Sequence, residues 1–391
     1  MSATPETLLH DDLLERIRER AARYDRDNEF FSEDLAELAE AGYLTALVPV
    51  EHGGLGWGFD DAVRAQMRLA GAAPATALAV NMHLVWTGVA KILRDRGDDS
   101  LEFLQREAGA GEVFGFGISE AGNDLMLFGS RTTAEPQPGG GYRYTGRKIF
   151  TSLSPAWTRL GTMGLDTASP DAPKIVYGFI DREDPDVRSL DDWDTMGMRA
   201  SQSRTTVLDG AFAASDRIVR RLDPGPNPDP FIFGIFASFE LLLAAVYAGI
   251  GARALDLAVA AAHRRTSMKL GGAPLAQDPD IRWRIADAAI AQDAIEPQLL
   301  AVARDLDGLV EHGSRWFAKL VGVKVRATET AKQVVDQAVR VSGGSTYFAG
   351  SELGRLYRDV LAGIFHPSDD ESAHSTVATA WLGPVETPPI D

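Results

Sequence analysis

One long apolar stretch, from Phe231 to Arg265, constrains the fold of this chain more than any other feature. Its first half is apolar or small apart from Glu240, and no proline interrupts it. A segment that is hydrophobic on nearly every side predicts a long helix inside a bundle or a bilayer. In a bilayer a carboxylate near mid-span would cost roughly 2.5 kcal/mol or more, and the preceding segment 223–230 supplies no basic flank. The stretch therefore predicts a core helix of a soluble bundle, with no membrane partner.

Glu240 is the one ionisable group in the apolar half of this helix. Alanine, glycine and serine recur around it, so neighbouring backbones can come close, and Glu240 must face a polar partner or a cavity. A buried carboxyl without a partner has a raised pKa because burial disfavours the charged form, which suits a general base acting near neutrality. The alternative is a structural pair with a buried arginine, and the sequence leaves both open.

The composition excludes several classes of protein. With 39 basic and 56 acidic residues the net charge is −17, which argues against nucleic acid and anionic membranes as partners. The absence of cysteine excludes disulfides, thiolate zinc sites and thiol nucleophiles, and the seven histidines show no paired ligand spacing for a metal. The amino terminus lacks the basic and apolar regions of a signal peptide, so we expect a cytoplasmic enzyme.

The order of the predicted elements defines three domains. Residues 1–111 follow helical patterns, residues 112–222 alternate aromatic and β-branched residues around glycine and proline turns, and residues 223–391 are helical again after a proline-rich linker. A hairpin is predicted at Pro138–Gly141, between RTTAE and YRYTG. The chain is thus an α+β multidomain protein with an N-terminal helical domain, a middle antiparallel β domain and a C-terminal four-helix bundle.

Several motifs in this order resemble the acyl-CoA dehydrogenase superfamily. The segment AGYLTALVPVEHGGLG resembles the loop after the family's second helix, and GISEAGND resembles a motif of the β domain, although its usual proline is missing. GYRYTGRKIFTS resembles the strand pair that lies over the flavin, and DTMGMRASQSRTTVLDGAFA resembles the end of the β domain. The resemblance spans essentially the whole chain and implies the acyl-CoA dehydrogenase fold, with FAD bound between the last two domains.

The same resemblance assigns cofactor contacts. In the β domain, the aromatic residues stack on the flavin ring and the hydroxyls donate to it, while the C-terminal residues bind the FAD pyrophosphate across a subunit interface. This sharing implies a homodimer or homotetramer. The residues placed in these roles are Phe116, Ser119, Asn123, Phe150, Ser152, Arg265, Met268, Arg340, Gly343 and Gly344.

The usual catalytic base of the family is absent. Counting onward from Arg358 along LYRDVLAGIFHPSDD, Pro367 takes the place of the glutamate. One subset of the family carries its base on the long helix, and alignment places Glu240 within one residue of that position. This predicts a dehydrogenase that removes the α proton of an acyl thioester, bound to CoA or to a carrier protein, while hydride passes to flavin N5 and then to an electron-acceptor flavoprotein.

The competing hypothesis is a flavin-dependent monooxygenase of the same fold. That branch lacks the glutamate, receives reduced flavin from a flavin reductase, and uses histidine and serine residues in oxygen activation. His83, Ser152 or Ser154, and His366 occupy the corresponding segments. A histidine that donates to or accepts from oxygen can govern its proton transfer. The candidate catalytic residues are therefore Glu240, His366 and His83.

Overall fold

The computed structural model describes residues 3–168 and 172–385. Within this part of the chain, two compact units form. One contains the segment up to His10 together with Arg23–Trp57 and Ala75–Phe239. The other contains Asp11–Ala22, Gly58–Pro74 and the chain from Glu240 onward. We call them the sheet unit and the bundle unit.

Helices, then strands, then helices follow one another along the chain, as the sequence predicts. The amino-terminal helices are α1 Pro5–Leu8, α2 Asp11–Asp27, α3 Ser32–Glu40, α4 Phe59–Ala72, α5 Pro74–Asp95 and α6 Glu102–Gly109. The strands are β1 Phe114–Gly117, β2 Thr133–Pro136, β3 Tyr142–Thr151, β4 Arg159–Asp166, β5 Lys174–Asp181, β6 Val187–Ser189, β7 Arg204–Ala213 and β8 Ile218–Leu222. The carboxy-terminal helices are α7 Pro230–Arg264, α8 Pro279–Asp293, α9 Ile295–Asp307, α10 Arg315–Ser342, α11 Glu352–Val360 and α12 Asp370–Leu382.

The strands form one sheet in the order β6-β7-β3-β2-β4-β5-β8. The predicted hairpin is present: β2 pairs antiparallel with β3, Pro136 lies opposite Tyr142, and Gly139 and Gly140 in the turn have φ of 92° and 90°. The sheet is not wholly antiparallel, because β1 pairs parallel with β4 from Phe114 opposite Arg159. The sequence did not reveal this pairing, since it joins strands that are far apart along the chain.

An aromatic cluster forms the core of the sheet unit around Trp86 of α5. Its ring lies 5.2 Å from that of Phe116 and 4.9 Å from that of Phe179, and its indole N–H donates to the Gly115 carbonyl at 2.9 Å. The backbone of β4 approaches the indole so closely that a Cβ at Gly161 would lie 2.3 Å from it. Glycine is therefore required there, because any side chain would displace the helix from the sheet.

The apolar helix α7 is a core helix, as predicted. The apolar windows of α5 and α7 are long enough to cross a membrane, but 94% and 89% of them are buried inside the fold. In the bundle unit, α4 packs against α7 so tightly that a Cβ at Gly249 would come within 2.3 Å of the Met67 carbonyl oxygen. The helix α10 contacts α8, α9, α11 and α12. The small residues of α7 thus permit the close approach inferred from the sequence.

Candidate functional site

The carboxyl group of Glu240 lies in the interior of the bundle unit, with only 1% of the residue exposed. Its Oε1 accepts a hydrogen bond from the Ser368 hydroxyl at 2.5 Å. Its Oε2 is buried and has no hydrogen-bond partner among the described residues. Burial raises the pKa of Glu240 to about 8, against the opposing effects of the Ser368 hydrogen bond and the charge of Lys324. Glu240 is therefore mostly protonated at neutral pH.

Lys324 of α10 shapes the loop that faces Glu240. Its ammonium group is buried and donates to the carbonyls of Gly363 at 3.3 Å, His366 at 3.3 Å and Ser368 at 2.8 Å. Burial lowers the pKa of Lys324, whereas the charge of Glu240 opposes that effect. The three carbonyls occupy the three N–H donors of the ammonium. Lys324 thus fixes the backbone on both sides of His366.

Both the ring and the main-chain carbonyl of His366 are hydrogen-bonded. Its Nε2 lies 2.8 Å from the hydroxyl of Tyr247, which follows Glu240 by two turns of α7. Burial, aided by the charge of Lys324, lowers the pKa of His366 to about 3. The imidazole is therefore neutral at physiological pH. The structure brings the predicted Glu240 and His366 into one polar cluster, which also contains Tyr247, Lys324 and Ser368.

The sequence analysis missed Lys324, although one signal was present. Leu320, Lys324, Ala327 and Ala331 follow the helical period on one face of α10, and all four are buried. A lysine within an apolar stripe is a candidate for a buried charge. Its partners could not be inferred, because they are main-chain carbonyls of a loop far along the chain.

The other acids near Pro367 do not join this cluster through their carboxylates. The Asp369 side chain accepts from the Ser372 N–H at 2.9 Å and caps α12. Asp370 and Glu371 are exposed in the first turn of that helix, where carboxylates favour the helix dipole. The usual position of the family's base therefore has no substitute from its sequence neighbours.

Both ring nitrogens of His83, the other histidine predicted to be catalytic, are hydrogen-bonded to the main chain. The imidazole is fully buried in the sheet unit, where Nδ1 accepts from the Phe114 N–H at 3.0 Å. This leaves the proton on Nε2, which donates to the Leu44 carbonyl at 2.8 Å. Burial lowers the pKa of His83 to about 4. With both nitrogens bonded to the main chain, His83 ties α5 to β1 and is a structural histidine.

Phe150 and Ser152 lie at the end of β3. Phe150 is 58% exposed and has a positive φ of 55°, which is unusual for a side chain of this size. The Ser152 hydroxyl is buried and lies 2.7 Å from that of Ser203, which in turn lies 2.7 Å from that of Ser201. An open aromatic face and a chain of hydroxyls thus occur side by side. Ser154, the alternative hydroxyl, donates instead to the Thr151 carbonyl at 2.7 Å.

Glu120 organises the loop that contains Ser119 and Asn123. Its carboxylate accepts from Lys148 at 2.6 Å and from the Arg131 N–H at 2.7 Å. Burial alone would raise the pKa of Glu120, but the Lys148 charge and the hydrogen bonds outweigh it and hold the pKa at about 2. The Asn123 amide donates within this loop, to Glu120 at 3.0 Å among others. Asn123 therefore shapes the loop with its donor groups.

The remaining β-domain candidates are placed by the main chain and by packing. The Ser119 carbonyl accepts from the Ile149 N–H at 2.9 Å, which joins the loop to β3. Phe116 is buried between Trp86 and Phe239, whose rings lie 5.2 and 5.7 Å away. These contacts leave the flavin roles of both residues as predictions.

The C-terminal cofactor candidates divide into two groups. Arg265 donates to the carbonyls of Val341 at 3.0 Å and Ser342 at 2.6 Å, so it lies against Gly343, where a Cβ would be 2.8 Å from the guanidinium. Arg340 lies instead on the exposed face of α10 and donates to Asp336 at 2.7 Å. Met268 is 98% exposed, and a Cβ at Gly344 would meet open space.

Among the described residues, no group of side chains could hold a metal ion.

Comparison with known proteins identifies the family. The models of the acyl-CoA dehydrogenase N-terminal and C-terminal domains match residues 9–99 and 241–370. L-evernosamine nitrososynthase from a Micromonospora species is 30% identical over 360 residues, or 90% of this chain and 84% of that protein. The chain belongs to the acyl-CoA dehydrogenase family. YdbM of Bacillus subtilis (strain 168), which is named as an acyl-CoA dehydrogenase, is 28% identical over 94% of both chains.

A solved structure extends this similarity to the fold. KijD3 in complex with FMN and dTDP-3-amino-2,3,6-trideoxy-4-keto-3-methyl-D-glucose has a TM-score of 0.83 and 28% identity, covering 97% of this chain and 94% of KijD3. The chain is thus a member of a family of flavin-dependent enzymes that includes both dehydrogenases and nitrososynthases.

The residues of the sheet unit fit a flavin. The exposed ring of Phe150 offers a flat apolar face, and the buried hydroxyl chain ending at Ser152 offers a polarised donor for the ring. In the bundle unit, taken by itself, Gly343 has a φ of 70° and lies beside the Arg265 guanidinium. The flavin roles of these residues stay predictions.

Proposed function

We propose that this chain is a flavin-dependent monooxygenase that uses reduced flavin and O2 to oxygenate a small molecule. The observation that carries the proposal is that the described acids next to Pro367 do not replace the family's usual base: Asp369 caps α12, and Asp370 and Glu371 are exposed. Glu240 is the other candidate, and burial raises its pKa to about 8, so about ten carboxyls are protonated for each ionised one at pH 7. Ionising Glu240 at pH 7 therefore costs about 1.4 kcal/mol, which slows proton abstraction about tenfold.

The other groups of the cluster suit oxygen chemistry. Bound reduced flavin supplies the two electrons that O2 activation requires. His366 stays neutral across the physiological range, and its ring is oriented by Tyr247 while Lys324 fixes its backbone. A neutral imidazole can pass a proton without titrating away, and the neutral Glu240 can donate one. In the sheet unit, the buried Ser152 hydroxyl lies 2.7 Å from that of Ser203 and would donate to a flavin bound there.

The relatives support this branch and direct the choice of cofactor. The nitrososynthases act on amino sugars by name, and KijD3 forms a complex with FMN. FAD is the cofactor implied by the family resemblance, with Arg340 among its pyrophosphate contacts. Because KijD3 forms a complex with FMN, and Arg340 is engaged with Asp336, we infer that this chain prefers FMN to FAD. Titration of the protein with each reduced flavin, followed by fluorescence, measures this preference.

The dehydrogenase remains the second candidate, and one observation favours it. Among the residues that the structure describes, none hydrogen-bonds to the Oε2 of Glu240, and the acceptor atom of a base must be open in this way. If a bound thioester drove the proton off Glu240, anaerobic mixing of the flavin-loaded protein with acyl-CoA esters would bleach the flavin. Glu240→Gln would abolish that bleaching while leaving the bound flavin in place.

Isotopically labelled O2 tests the monooxygenase proposal. The flavin-loaded protein, a flavin reductase and NADH are incubated under labelled O2 with a panel of amines, including an amino-sugar nucleotide of the kind bound by KijD3. We expect label in an oxygenated product and less hydrogen peroxide than O2 consumed. Full conversion of O2 to peroxide with every substrate would refute the proposal.

We further propose that the protein is a cytoplasmic homodimer or homotetramer. In the bundle unit, Met268 and Tyr347 are 98% and 96% exposed, close in sequence to Arg265 and Gly343. Exposed apolar side chains of this size are typical of a subunit interface. Light scattering on the purified protein tests this, and a monomer at micromolar concentration would contradict it.

A further inference from the structure

The hydroxyl of Tyr247 has one hydrogen-bond partner among the described residues. It lies 2.8 Å from Nε2 of His366, and Tyr247 is fully buried in the bundle unit. If Nε2 carried the imidazole proton and donated it to the tyrosine oxygen, the hydroxyl proton would be buried without an acceptor. Buried donors in native proteins nearly always have an acceptor. The hydroxyl therefore donates to Nε2, which must be unprotonated.

The proton of the neutral His366 ring then lies on Nδ1, because a neutral imidazole has one donor and one acceptor nitrogen. This assignment follows from the hydrogen-bond pattern around the ring. We propose that Tyr247 is a positioning residue that holds the His366 proton on Nδ1, so that the ring presents an N–H donor to oxygen during its reduction. The inference rests on the proposed monooxygenase function and adds to it a residue that acts through His366.

The Nδ1 atom of His366 is available for this role. It makes no hydrogen bond to the described residues, and it is not one of the buried atoms that lack a partner. The residue as a whole is half-buried, and Phe365 beside it is 75% exposed. The edge of the ring that contains Nδ1 is thus open to a ligand, whereas the edge that contains Nε2 is closed by Tyr247.

Packing fixes the tyrosine ring in the position that this bond requires. The main chain at Gly363 comes so close that a Cβ there would lie 2.8 Å from the ring of Tyr247. Lys324 donates to the carbonyls of Gly363 and His366, so it anchors to α10 the loop that contains both residues. The rings of Tyr247 and His366 meet edge to face, with centroids 5.7 Å apart and planes inclined by 63°. Both partners of the hydrogen bond are therefore held in place.

The neutral state of both groups keeps the Nδ1 donor available. Burial lowers the pKa of His366 to about 3 and raises the pKa of Tyr247 well above its usual value. Neither group therefore gains or loses a proton near neutral pH. Reduction of O2 places negative charge on oxygen, and a donor that is oriented in advance stabilises this charge without reorganisation. The role is that of a hydrogen bond, in which the proton stays on the imidazole.

NMR of the full chain loaded with oxidised FMN and labelled with nitrogen isotope at histidine tests the assignment. Long-range proton–nitrogen correlations show which nitrogen of each ring carries the proton, and single substitutions to glutamine assign the signals. At pH 7 we expect His366 to be protonated on Nδ1. His83 is the internal reference of opposite kind, because its Nδ1 accepts from the Phe114 N–H and its Nε2 donates to the Leu44 carbonyl.

Two variants test whether Tyr247 determines the position of the proton. Tyr247→Phe keeps the ring and removes the hydroxyl, so the His366 proton should be shared between both nitrogens. The fraction of consumed O2 that appears in a labelled product should then fall at least about twofold, with the affinity for FMN unchanged. Tyr144→Phe is the matched control, because it removes a buried hydroxyl of the sheet unit, which donates to the Val176 carbonyl at 3.3 Å, and it should alter neither result.

A His366 ring protonated on Nε2 in the unmodified protein would overturn the inference, and this measurement decides even if Tyr247→Phe does not fold. An unchanged tautomer or unchanged oxygen transfer in Tyr247→Phe would overturn it as well. Failure of the proposed function has a different signature. The protein would then convert all O2 to peroxide with every substrate, while the tautomer of His366 would still depend on the Tyr247 hydroxyl.

Discussion

Replacement of Glu240 by glutamine should stabilise the protein, and increasingly so as the pH rises. Burial raises the pKa of Glu240 from 4.5 to about 8, so the folded state binds the proton more tightly than the unfolded state. The folded protein then loses stability as the pH rises through the interval between these values. Each unit of pH within it costs about 1.4 kcal/mol, and glutamine has no proton to lose.

The expected difference is large enough to measure. Between pH 5 and pH 7 the stability of Glu240→Gln relative to the unmodified protein should grow by about 2.5 kcal/mol. If the whole chain melts in one transition, this corresponds to a relative rise in Tm of about 3 °C. Differential scanning calorimetry of both proteins at pH 5, 6 and 7 gives the comparison, because the titration of all other groups cancels in the difference.

Glu120→Gln is the matched control, since Glu120 is also buried but its pKa is held at about 2. A depressed pKa stabilises the folded state at pH values above the ordinary pKa, and this stabilisation is lost as the pH falls. Glutamine at this position should therefore lower the Tm throughout the range from pH 5 to 7, because Lys148 loses its partner. A Tm difference for Glu240→Gln that is constant with pH would refute the account of Glu240.

Three further substitutions test other parts of the structure. Lys324→Met should raise the pKa of His366, because a nearby positive charge is removed. NMR titration of the imidazole measures this pKa, and an unchanged value would show that burial alone lowers the pKa of His366. Ser203→Ala breaks the chain of hydroxyls, so it should weaken flavin binding several-fold and shift the flavin reduction potential. An unchanged reduction potential would show that these hydroxyls do not contact the flavin. Gly161→Ala should destabilise the protein by about 1 to 3 kcal/mol, because its Cβ would clash with Trp86, and denaturant unfolding that matches the unmodified protein would contradict the packing.

The parts of the fold that depend on local patterns could be predicted from the sequence. The apolar period of α7, the turn glycines between β2 and β3, and the change in composition after residue 111 each reflect neighbouring residues. The parallel pairing of β1 with β4 could not be predicted, because nothing local specifies which distant strand completes the sheet.

The candidate site shows the same division. Glu240 could be found because it interrupts an apolar helix, and the loss of the usual base could be found by counting to Pro367. The hydrogen bonds of His83 could not be predicted, because its partners, the Leu44 carbonyl and the Phe114 N–H, come from segments far along the chain. Lys324 was missed for the same reason, since only the folded loop supplies its carbonyl partners.

The fate of labelled O2 tests the central claim most directly. The flavin-loaded protein, supplied with reducing equivalents and the amine panel, should place label in an oxygenated product. In a parallel anaerobic sample, acyl-CoA esters should leave the flavin yellow. Label recovered only in hydrogen peroxide, together with anaerobic bleaching that Glu240→Gln abolishes, would contradict the account and identify Glu240 as the base of a dehydrogenase.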